Sequence, residues 1–300
     1  MSLVHFSELM QHAEKHSYAV GYFESWNLES LLAVADAAER LHSPVILGFS
    51  GIYLPHPDRM VKDRLRDYAA LAAEVGHRLS VPCCILFNES ADLDWVYESI
   101  DLGFQLVMFT DETLEVAELT EKVRTVTERA HREGLASEGD LVPLPGAGGE
   151  AVDETLERPP KRDVGEAVRF VEETGIDAFA VDIGQLHLHG RKLLDLDLER
   201  LKELRKELDV PLVLHGSSSV TDTSIRGAIA GGIRKINVGS NLKRAYFETL
   251  RSACNAVEDG YIPYEVLGSL LSTDIEIQAR LAMQAKVEEL MKLFGSSGMG

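Results

Sequence analysis

Two histidines stand at places in the sequence where they could hold a metal ion. His187 and His215 each follow a short apolar run, and a glycine comes soon after each, at Gly190 and Gly216. Neutral imidazoles bind Zn²⁺, Co²⁺ or Fe²⁺, and one further ligand beside an open coordination position makes a catalytic site. A single histidine in such a place is more often a structural partner of the backbone. Two of them, after different strands, favour a metal.

The stretch CCILFNES at 83–90 raises the question of a further ligand. It begins as a buried strand and ends, without a turn residue, in Asn88, Glu89 and a serine. Carboxylates also stand near the ends of other apolar runs, at Asp111, Glu138 and Asp140. On these residues alone, the polar end of 83–90 is either part of a site or simply the place where a strand reaches the surface.

Two short segments indicate a phosphate site. In LHGSSS, Gly216 lets the backbone approach a ligand closely, and the serines offer donors before a helix that begins near Thr221 or Asp222. NVGS, with Asn237, Gly239 and Ser240, follows the next apolar run. Each segment alone could be an ordinary helix cap or a serine turn. Both together, on neighbouring strands, favour phosphate.

Eight short apolar runs alternate with stretches of helical periodicity, and these elements must position the residues above. Such alternation predicts parallel strands joined by crossover helices. Eight units in 300 residues predict a (β/α)₈ TIM barrel, in which active sites form at the C-terminal ends of the strands. An open doubly wound sheet is the rival, but the Gly-rich fingerprint expected after its first strand is absent from FESWNLES. The predicted strands are 18–23, 44–50, 83–89, 106–111, 134–142, 178–184, 211–217 and 235–240.

The whole chain, 1–300, is predicted to be one domain, because no linker or internal repeat interrupts the alternation. The segment 143–163 is rich in Gly, Pro and charge, which predicts a functional lid or a disordered loop on the active-site face. The stretch 262–300 is predicted to be a C-terminal helical extension that packs outside the barrel or on a neighbouring subunit.

Composition excludes several classes of function. A formal net charge of −19 argues against nucleic-acid binding, because phosphate contacts need clustered Lys and Arg. No apolar run approaches the ~20 residues of a membrane helix, and the N-terminal stretch is not predicted to be a signal peptide. Three cysteines, two of them adjacent in an apolar strand, make no disulfide framework, which predicts a cytoplasmic protein. An acidic protein can still bind an anionic small molecule at a local positive or metal-bearing site.

Several segments resemble the class II fructose-bisphosphate and tagatose-bisphosphate aldolases, in order and spacing, over nearly the whole chain. TGIDAFAVDIGQLH is similar to the family's TGVDALAVAIGTSHG, and PLVLHGSSS is similar to its PLVLHGGSG. IRKINVGSNLKRAYFETLR and the closing LFGSSGMG also resemble family segments. The resemblance implies a lyase of carbohydrate metabolism, including glycolysis. Such an enzyme cleaves or condenses a phosphorylated ketose, with dihydroxyacetone phosphate and an aldehyde on the other side of the reaction.

The resemblance also implies roles for particular residues. His187 and His215 match two of the family's three zinc-binding histidines, and a divalent metal, usually zinc, polarises the substrate carbonyl. A monovalent cation is a further cofactor candidate. Asp140 falls where the family has a supporting carboxylate near the metal. The residues implied to bind the phosphorylated substrate are Gly216, Ser217, Ser218, Asn237, Gly239 and Ser240.

Departures from the family pattern gather in the segment 83–90. Where the family has a proton-transferring Asp and the third zinc-binding His, this chain has Asn88 and Glu89. An Asn amide does not titrate usefully and cannot act as a general base, whereas Glu can complete a His₂Glu zinc site. Candidates to replace the missing Asp are Asp111, Glu24 and Glu150.

Three functions remain open on the sequence. The first is metal-dependent aldol cleavage of a fructose- or tagatose-bisphosphate-like ketose. The second is a different reaction on a sugar phosphate or keto acid, such as isomerisation or epimerisation. The third is a non-catalytic protein that binds a phosphorylated ligand.

The resemblance implies a homodimer or homotetramer with a phosphorylated small-molecule substrate, without nucleic acid or membrane as partner. The apolar C-terminal helix is a candidate interface, and Arg280 is the candidate for reaching the distal phosphate of a neighbouring subunit's substrate. A solvated helix arginine is an equally good interpretation of Arg280.

Overall fold

The computed structural model describes residues 2–141, 163–186 and 192–300. Eight parallel strands form a closed barrel in which each strand pairs with the next and the last pairs with the first. This confirms the predicted TIM barrel. The strands are β1 (Val20–Phe23), β2 (Val45–Ser50), β3 (Cys83–Ser90), β4 (Leu106–Phe109), β5 (Ala136–Asp140), β6 (Ala178–Ala180), β7 (Leu212–Leu214) and β8 (Ile233–Val238).

The strands are shorter than predicted at several ends, most clearly at β6. β6 ends at Ala180, although the Val181 N–H still donates to the Val213 carbonyl at 3.0 Å, and beyond that bond the side chain of Gln185 supplies hydrogen bonds. Its Oε1 accepts from the Ile183 N–H at 2.9 Å, and its amide donates to the Val181 carbonyl. A buried glutamine therefore replaces the strand partners that the sequence pattern predicts for this stretch.

In the described ranges, a helix follows each strand, one precedes the barrel and two come after it. Asn27 caps the first crossover helix by accepting from the Ser30 N–H at 2.9 Å. The helices are α1 (Phe6–His16), α2 (Leu28–Leu41), α3 (Leu65–Arg78), α4 (Leu93–Asp101), α5 (Val116–Arg132), α6 (Val164–Thr174), α7 (Leu198–Glu207), α8 (Asp222–Ala230), α9 (Ser240–Asn255), α10 (Pro263–Val266) and α11 (Ile275–Phe294).

Two apolar cores lie on the two faces of the barrel wall. Alternate strand residues point into the lumen or outward, as the two-residue period of a strand requires. The outward core packs the strands against the surrounding helices and includes Phe49, Phe87 and Phe104. The lumen core is closed at the N-terminal end of the strands by α1. It contains Phe6, Leu9, Met10, Ala13, Tyr18, Val20, Tyr22, Ile46, Cys84, Leu86, Leu106, Ala136, Ala178, Ala180 and Val213.

The long C-terminal helix α11 packs on the outside of the barrel. It lies against α2 and α9, and its buried side chains, including Met283, Met291 and Phe294, belong to the outward core. Much of the apolar face seen in the sequence is therefore used within the chain itself. In the described parts of the chain, no helix combines the length and apolarity needed to cross a membrane.

Candidate active site

Polar residues from the C-terminal ends of several strands surround a cavity of about 670 Å³. Asn88 comes two residues after Leu86, and His215 comes two residues after Val213, and both Leu86 and Val213 belong to the lumen core, so the strand period aims these two side chains inward. Members that belong to the predicted site are Asn88, Glu89, His215, Gly216, Ser217, Ser218, Asn237, Gly239 and Ser240. The structure thus brings most of the predicted site residues together around one cavity.

A break in the β3 ladder places Asn88 and Glu89 at the same cavity. The register with β4 shifts between Phe87 and Ser90, and Glu89 has a φ of 53°. Such a left-handed conformation is uncommon for a residue with a side chain and marks a local bulge. The Asn88 Nδ2 donates to Glu89 Oε2 at 2.5 Å. Because of the bulge, consecutive residues serve one site instead of pointing to opposite faces.

His215 lies between two carboxylates at the centre of the site. Its Nδ1 is 3.0 Å from Glu89 Oε1, and its Nε2 is 2.8 Å from Glu138 Oε1. Only 3% of the His215 surface is exposed, and burial by itself would lower the pKa of the imidazole. The two carboxylates outweigh burial and raise the pKa of His215 to about 9. The imidazole is therefore held by charge on both sides.

A fully buried ion pair lies below His215. Lys235 Nζ is 2.8 Å from Glu138 Oε2, and it donates to Asn237 Oδ1 at 2.5 Å. Burial would raise the pKa of Glu138, but Lys235 and His215 outweigh it and lower that pKa. Fixing Asn237 Oδ1 directs its Nδ2 toward the site, 2.9 Å from His215 Nε2 and 3.3 Å from Asn88 Oδ1. Lys235 thereby sets the orientation of the Asn237 amide.

Asp140 and Asp111 lie on the other side of Glu89. Both line a neighbouring cavity of about 730 Å³, which Glu89 also borders. Asp140 accepts from Thr110 Oγ1 at 2.7 Å, and burial raises its pKa to about 6. Asp111 accepts from the N–H and the hydroxyl of Thr113, at 2.9 and 2.7 Å. The structure therefore does not bring Asp111 to the His215 cavity.

The loops after β7 and β8 form the wall predicted to bind phosphate. Gly216 has a φ of 65°, which suits glycine. The Ser217 hydroxyl donates to the Asn237 carbonyl at 2.6 Å, so it is used within the fold. The Ser218 hydroxyl accepts from the Asn241 N–H at 3.2 Å. At Gly239 a Cβ would collide with Glu24 Oε2. Any other residue there would displace the Glu24 carboxylate.

Two cations that the sequence argument missed also line this wall. Lys243 and Arg244 lie in the first turns of α9, whose N-terminus follows Gly239. Lys243 Nζ donates to Glu24 Oε1 at 2.5 Å and lies 5.8 Å from the Trp26 ring centre and 5.7 Å from that of Tyr53. A helix N-terminus with two adjacent cations favours an anion.

Two residues at the centre of the cavity, Glu89 and His215, are of types that bind a divalent metal. Glu89 Oε1 and His215 Nδ1 lie 3.0 Å apart, close to the roughly 3.3 Å between two ligands placed about 2.05 Å from a tetrahedral zinc ion. Glu138 holds the second nitrogen of His215, as an outer carboxylate commonly does for a metal-binding histidine. The described ranges contain no group of three or more His, Cys, Asp or Glu suited to a metal. The third predicted ligand, His187, lies outside them.

Two other predicted residues are not placed at this cavity by the described structure. Glu150 lies outside the described residues. Arg280 lies on α11, where it forms an ion pair with Glu29 at 3.1 Å and another with Asp36. Its contribution to a neighbouring subunit's site stays a prediction.

Lys235 and Tyr22 are site residues that the sequence argument missed. Lys235 stands two positions before Asn237, and Tyr22 stands two positions before Glu24. Residues two apart on a strand share a face, so the period could have found both. The apolar surroundings of each concealed their place in the site.

Comparisons with known proteins give a consistent result. The sequence model of "Fructose-bisphosphate aldolase class-II" matches residues 4–299. The chain is 29% identical over 298 residues to a sulfofructosephosphate aldolase from Alkalicoccus urumqiensis, covering 99% of this chain and 98% of that protein.

Solved structures agree with this match. The crystal structure of the YdjI aldolase from Escherichia coli K12 superposes with a TM-score of 0.79 and 25% identity, over 99% of this chain and 98% of that one. A fructose-bisphosphate aldolase from Campylobacter jejuni superposes with a TM-score of 0.80 over 100% and 96% of the two chains. At 17% identity, it supports the fold alone.

Proposed function

Because the chain belongs to the class II fructose-bisphosphate aldolase family, whose members are lyases that cleave a sugar phosphate by an aldol reaction, we propose that it is a metal-dependent ketose-phosphate aldolase. In the cleavage direction its products are dihydroxyacetone phosphate and an aldehyde. The observation that carries the proposal is the meeting of Glu89 Oε1 and His215 Nδ1, 3.0 Å apart, beside the wall formed after β7 and β8.

The wall after β7 and β8 would hold the phosphate of the substrate. Gly216 and Gly239 allow close backbone approach, and Lys243 and Arg244 add positive charge beside the N-terminus of α9. Ser217 contributes through its backbone, because its hydroxyl already donates to the Asn237 carbonyl at 2.6 Å. A phosphate held at this wall would lie at one edge of the cavity and would leave the reacting carbons near His215.

Glu89, His215 and the predicted third ligand His187 would hold the divalent metal, with zinc as our proposal. A bound divalent ion supplies Lewis-acid polarisation of the substrate carbonyl. The chain's own contribution is orientation: Glu138 holds His215 Nε2 at 2.8 Å, and the β3 bulge turns the Glu89 carboxylate toward Nδ1. Asp140 would act at a distance, as a supporting carboxylate beyond Glu89.

Among the described candidates, we propose Glu24 for proton transfer. Asn88 cannot take up the proton of the substrate hydroxyl. Of the three replacement candidates, Asp111 lines the neighbouring cavity and Glu150 lies outside the described residues. Glu24 borders the His215 cavity, and Lys243 donates to it at 2.5 Å. Glu24 would accept the hydroxyl proton while the carbon–carbon bond breaks and its electron pair moves toward the ketose carbonyl.

The far end of the substrate would carry a second anionic group. Arg59, from the segment after β2, lines the same cavity and is held by Asp63 at 2.6 Å and by the Leu54 carbonyl at 3.1 Å. The relative from Alkalicoccus urumqiensis is a sulfofructosephosphate aldolase. We therefore include a sulfonated ketose phosphate beside fructose and tagatose bisphosphates as substrate candidates.

A coupled assay for triose phosphate release from these three ketoses tests the proposal. The purified protein is assayed as isolated, after chelator treatment, and after addition of Zn²⁺, with elemental analysis of the same samples. We expect cleavage that chelation removes and Zn²⁺ restores. If the protein binds less than one equivalent of metal and added Zn²⁺ does not raise this amount, the metal site is refuted. Metal binding without cleavage of any of the three would refute this substrate class.

A second candidate function is phosphate-ligand binding without cleavage. It is favoured by Asn88, which stands where the family has its proton-transferring Asp. The two functions separate in one experiment: a non-catalytic protein would bind dihydroxyacetone phosphate and give no triose phosphate from any of the three ketoses. An isomerase or epimerase would convert the ketose without losing carbon–carbon bonds, which a product analysis by NMR detects.

We also propose a homo-oligomer. Apolar side chains between α9 and α11 are exposed, among them Tyr264 at 86% and Leu270 at 69%. Apolar patches of this kind commonly mark contact surfaces between proteins. Light scattering at several concentrations tests the proposal, with a dimer or tetramer expected and a monomer at all concentrations contradicting it.

A further inference from the structure

The hydroxyl of Tyr22 has no hydrogen-bond partner among the described residues. Tyr22 lies on β1 with its side chain in the lumen, and only 2% of its surface is exposed. Buried hydroxyls in folded proteins are nearly always hydrogen-bonded, so the Tyr22 hydroxyl calls for a partner other than the described residues, and a bound ligand is one such partner.

Tyr22 lines the cavity that holds the proposed reacting groups. It pairs with Asn237 in the register of β1 and β8, and it lines the cavity that also contains Asn88, Glu89 and His215. It also pairs with Ile46 of the apolar lumen core in the register of β1 and β2, so it lies where that core meets the cavity, at the floor of the site. A substrate seated in the cavity would bring its oxygen atoms toward this floor.

The surroundings of Tyr22 keep its phenol in the donor form. Burial, followed by the charges of Glu24, Glu89 and Glu138, raises the pKa of Tyr22 well above its ordinary value. Lys235 Nζ lies 5.4 Å from the centre of the ring, which holds the ring by a cation–π contact. The ring is thus fixed by the barrel, and its O–H is left to donate.

We propose that the Tyr22 hydroxyl donates a hydrogen bond to an oxygen atom at the reacting carbons of the bound ketose phosphate. This inference rests on the proposed function for the identity of the ligand. It adds a substrate-contacting residue from β1, a strand whose end otherwise contributes only Glu24 to the chemistry. A phosphate group held at the wall after β7 and β8 does not need this donor.

The barrel contains a matched control for the same substitution. Tyr18 is also buried, with 1% of its surface exposed, but it lies at the closed end of the lumen and its hydroxyl is 2.9 Å from His12 Nδ1. Tyr18→Phe removes a satisfied hydroxyl, whereas Tyr22→Phe removes an unsatisfied one. Both changes keep the ring and delete a single oxygen atom.

For the wild type and for each variant, the experiment measures the affinity for two ligands and the thermal stability. Calorimetry gives the affinity for dihydroxyacetone phosphate and for inorganic phosphate, and a thermal melt without ligand gives the Tm. For Tyr22→Phe we expect about tenfold weaker binding of dihydroxyacetone phosphate, because one neutral hydrogen bond is lost. The affinity for inorganic phosphate should not change, and the Tm should be no lower than that of the wild type. For Tyr18→Phe we expect a lower Tm and unchanged affinity for both ligands.

The outcomes separate this proposal from the proposed function. Suppose that the wild type binds dihydroxyacetone phosphate and that Tyr22→Phe either binds it equally well or loses the same affinity for both ligands. Either result overturns only the role of Tyr22 and leaves the proposed function standing. A clear fall in Tm for Tyr22→Phe overturns it too, because the hydroxyl then has a partner within the fold. A wild-type protein that binds phosphate but not dihydroxyacetone phosphate refutes the proposed function, and the role of Tyr22 with it.

Discussion

The two ends of the barrel lumen use the same strand positions in opposite ways. On β3, Cys84 and Leu86 point into the closed end, and Asn88, the next residue of that face, reaches the open end. The closed end is an apolar core covered by α1. The open end carries Glu138, His215 and other polar groups in contact with one another.

The difference shows over how short a distance a protein interior can change from apolar to charged. One step of two residues along a strand covers about 7 Å, and over that distance the lumen passes from hydrocarbon to a charged network. The network is tolerated because its charges are paired: Lys235 meets Glu138 at 2.8 Å, and His215 lies between two carboxylates. Packing stabilises the closed end, and pairing makes the open end possible.

The largest expected effect concerns proton transfer at the open end. Glu24→Gln should lower kcat for ketose cleavage by ~10²–10⁴-fold, because the amide cannot take up a proton. Adding Asn88→Asp to that variant should recover part of the loss, since this second substitution places a new carboxylate in the same cavity. The coupled assay measures both. Unchanged kcat in Glu24→Gln would assign the base to another residue.

Next comes the buried ion pair. Lys235→Met should reduce the free energy of unfolding by about 3 kcal/mol, because it leaves the buried Glu138 charge without its lysine. Urea unfolding measures the loss. The double variant Lys235→Met, Glu138→Gln is the control and should recover much of the stability, since it removes both charges. If the single and double variants are equally unstable, the pairing is not what makes the open end tolerable.

A smaller effect, on metal affinity, is expected when Glu138 is substituted on its own. Glu138→Gln should weaken divalent-metal binding by about 10–100-fold, as loss of an outer carboxylate partner of a histidine ligand commonly does. Competition with a chelator of known affinity measures the change. Asp111→Asn is the matched control, because Asp111 borders the neighbouring cavity. The metal affinity of this variant should equal that of the wild type. Equal weakening in both variants would contradict the role of Glu138.

The smallest effect is expected at the closed end. Ile46→Val removes one buried methylene from the apolar lumen core and should reduce the free energy of unfolding by about 1 kcal/mol. Catalytic constants and metal affinity should not change, because the site lies one step further along the strands. A change in kcat without a matching loss of stability would show that the two ends are coupled.

Much of the fold followed from local pattern. The eight apolar runs became the eight strands, because short apolar segments between helical stretches have few other ways to be buried. His215, Gly216 and Asn237 were identifiable as cavity residues because their places at strand ends follow from the barrel. The end of β6 was less predictable, since it depends on hydrogen bonds from the Gln185 side chain.

The site network was less accessible to sequence reasoning. Glu89 was expected to match a ligand position, but its approach to His215 depends on a left-handed backbone at Glu89, which no local residue type announces. Lys235 looked like an ordinary charged residue in a strand, and its role depends on Glu138, a residue distant in the sequence. Asp111 was a reasonable candidate by position, and the structure directs it to the neighbouring cavity.

The sequence by itself determined the barrel, the strand ends that form its mouth and the family, because period and order are properties of the chain. Tertiary structure alone decided which side chains meet: Glu89 meets His215, Lys235 meets Glu138, and the Tyr22 hydroxyl has no hydrogen-bond partner among the described groups. The physical reason is closure. Bringing eight strands around one axis joins residues that are far apart in sequence, and the charges and hydroxyls of such residues acquire partners only when the barrel is complete.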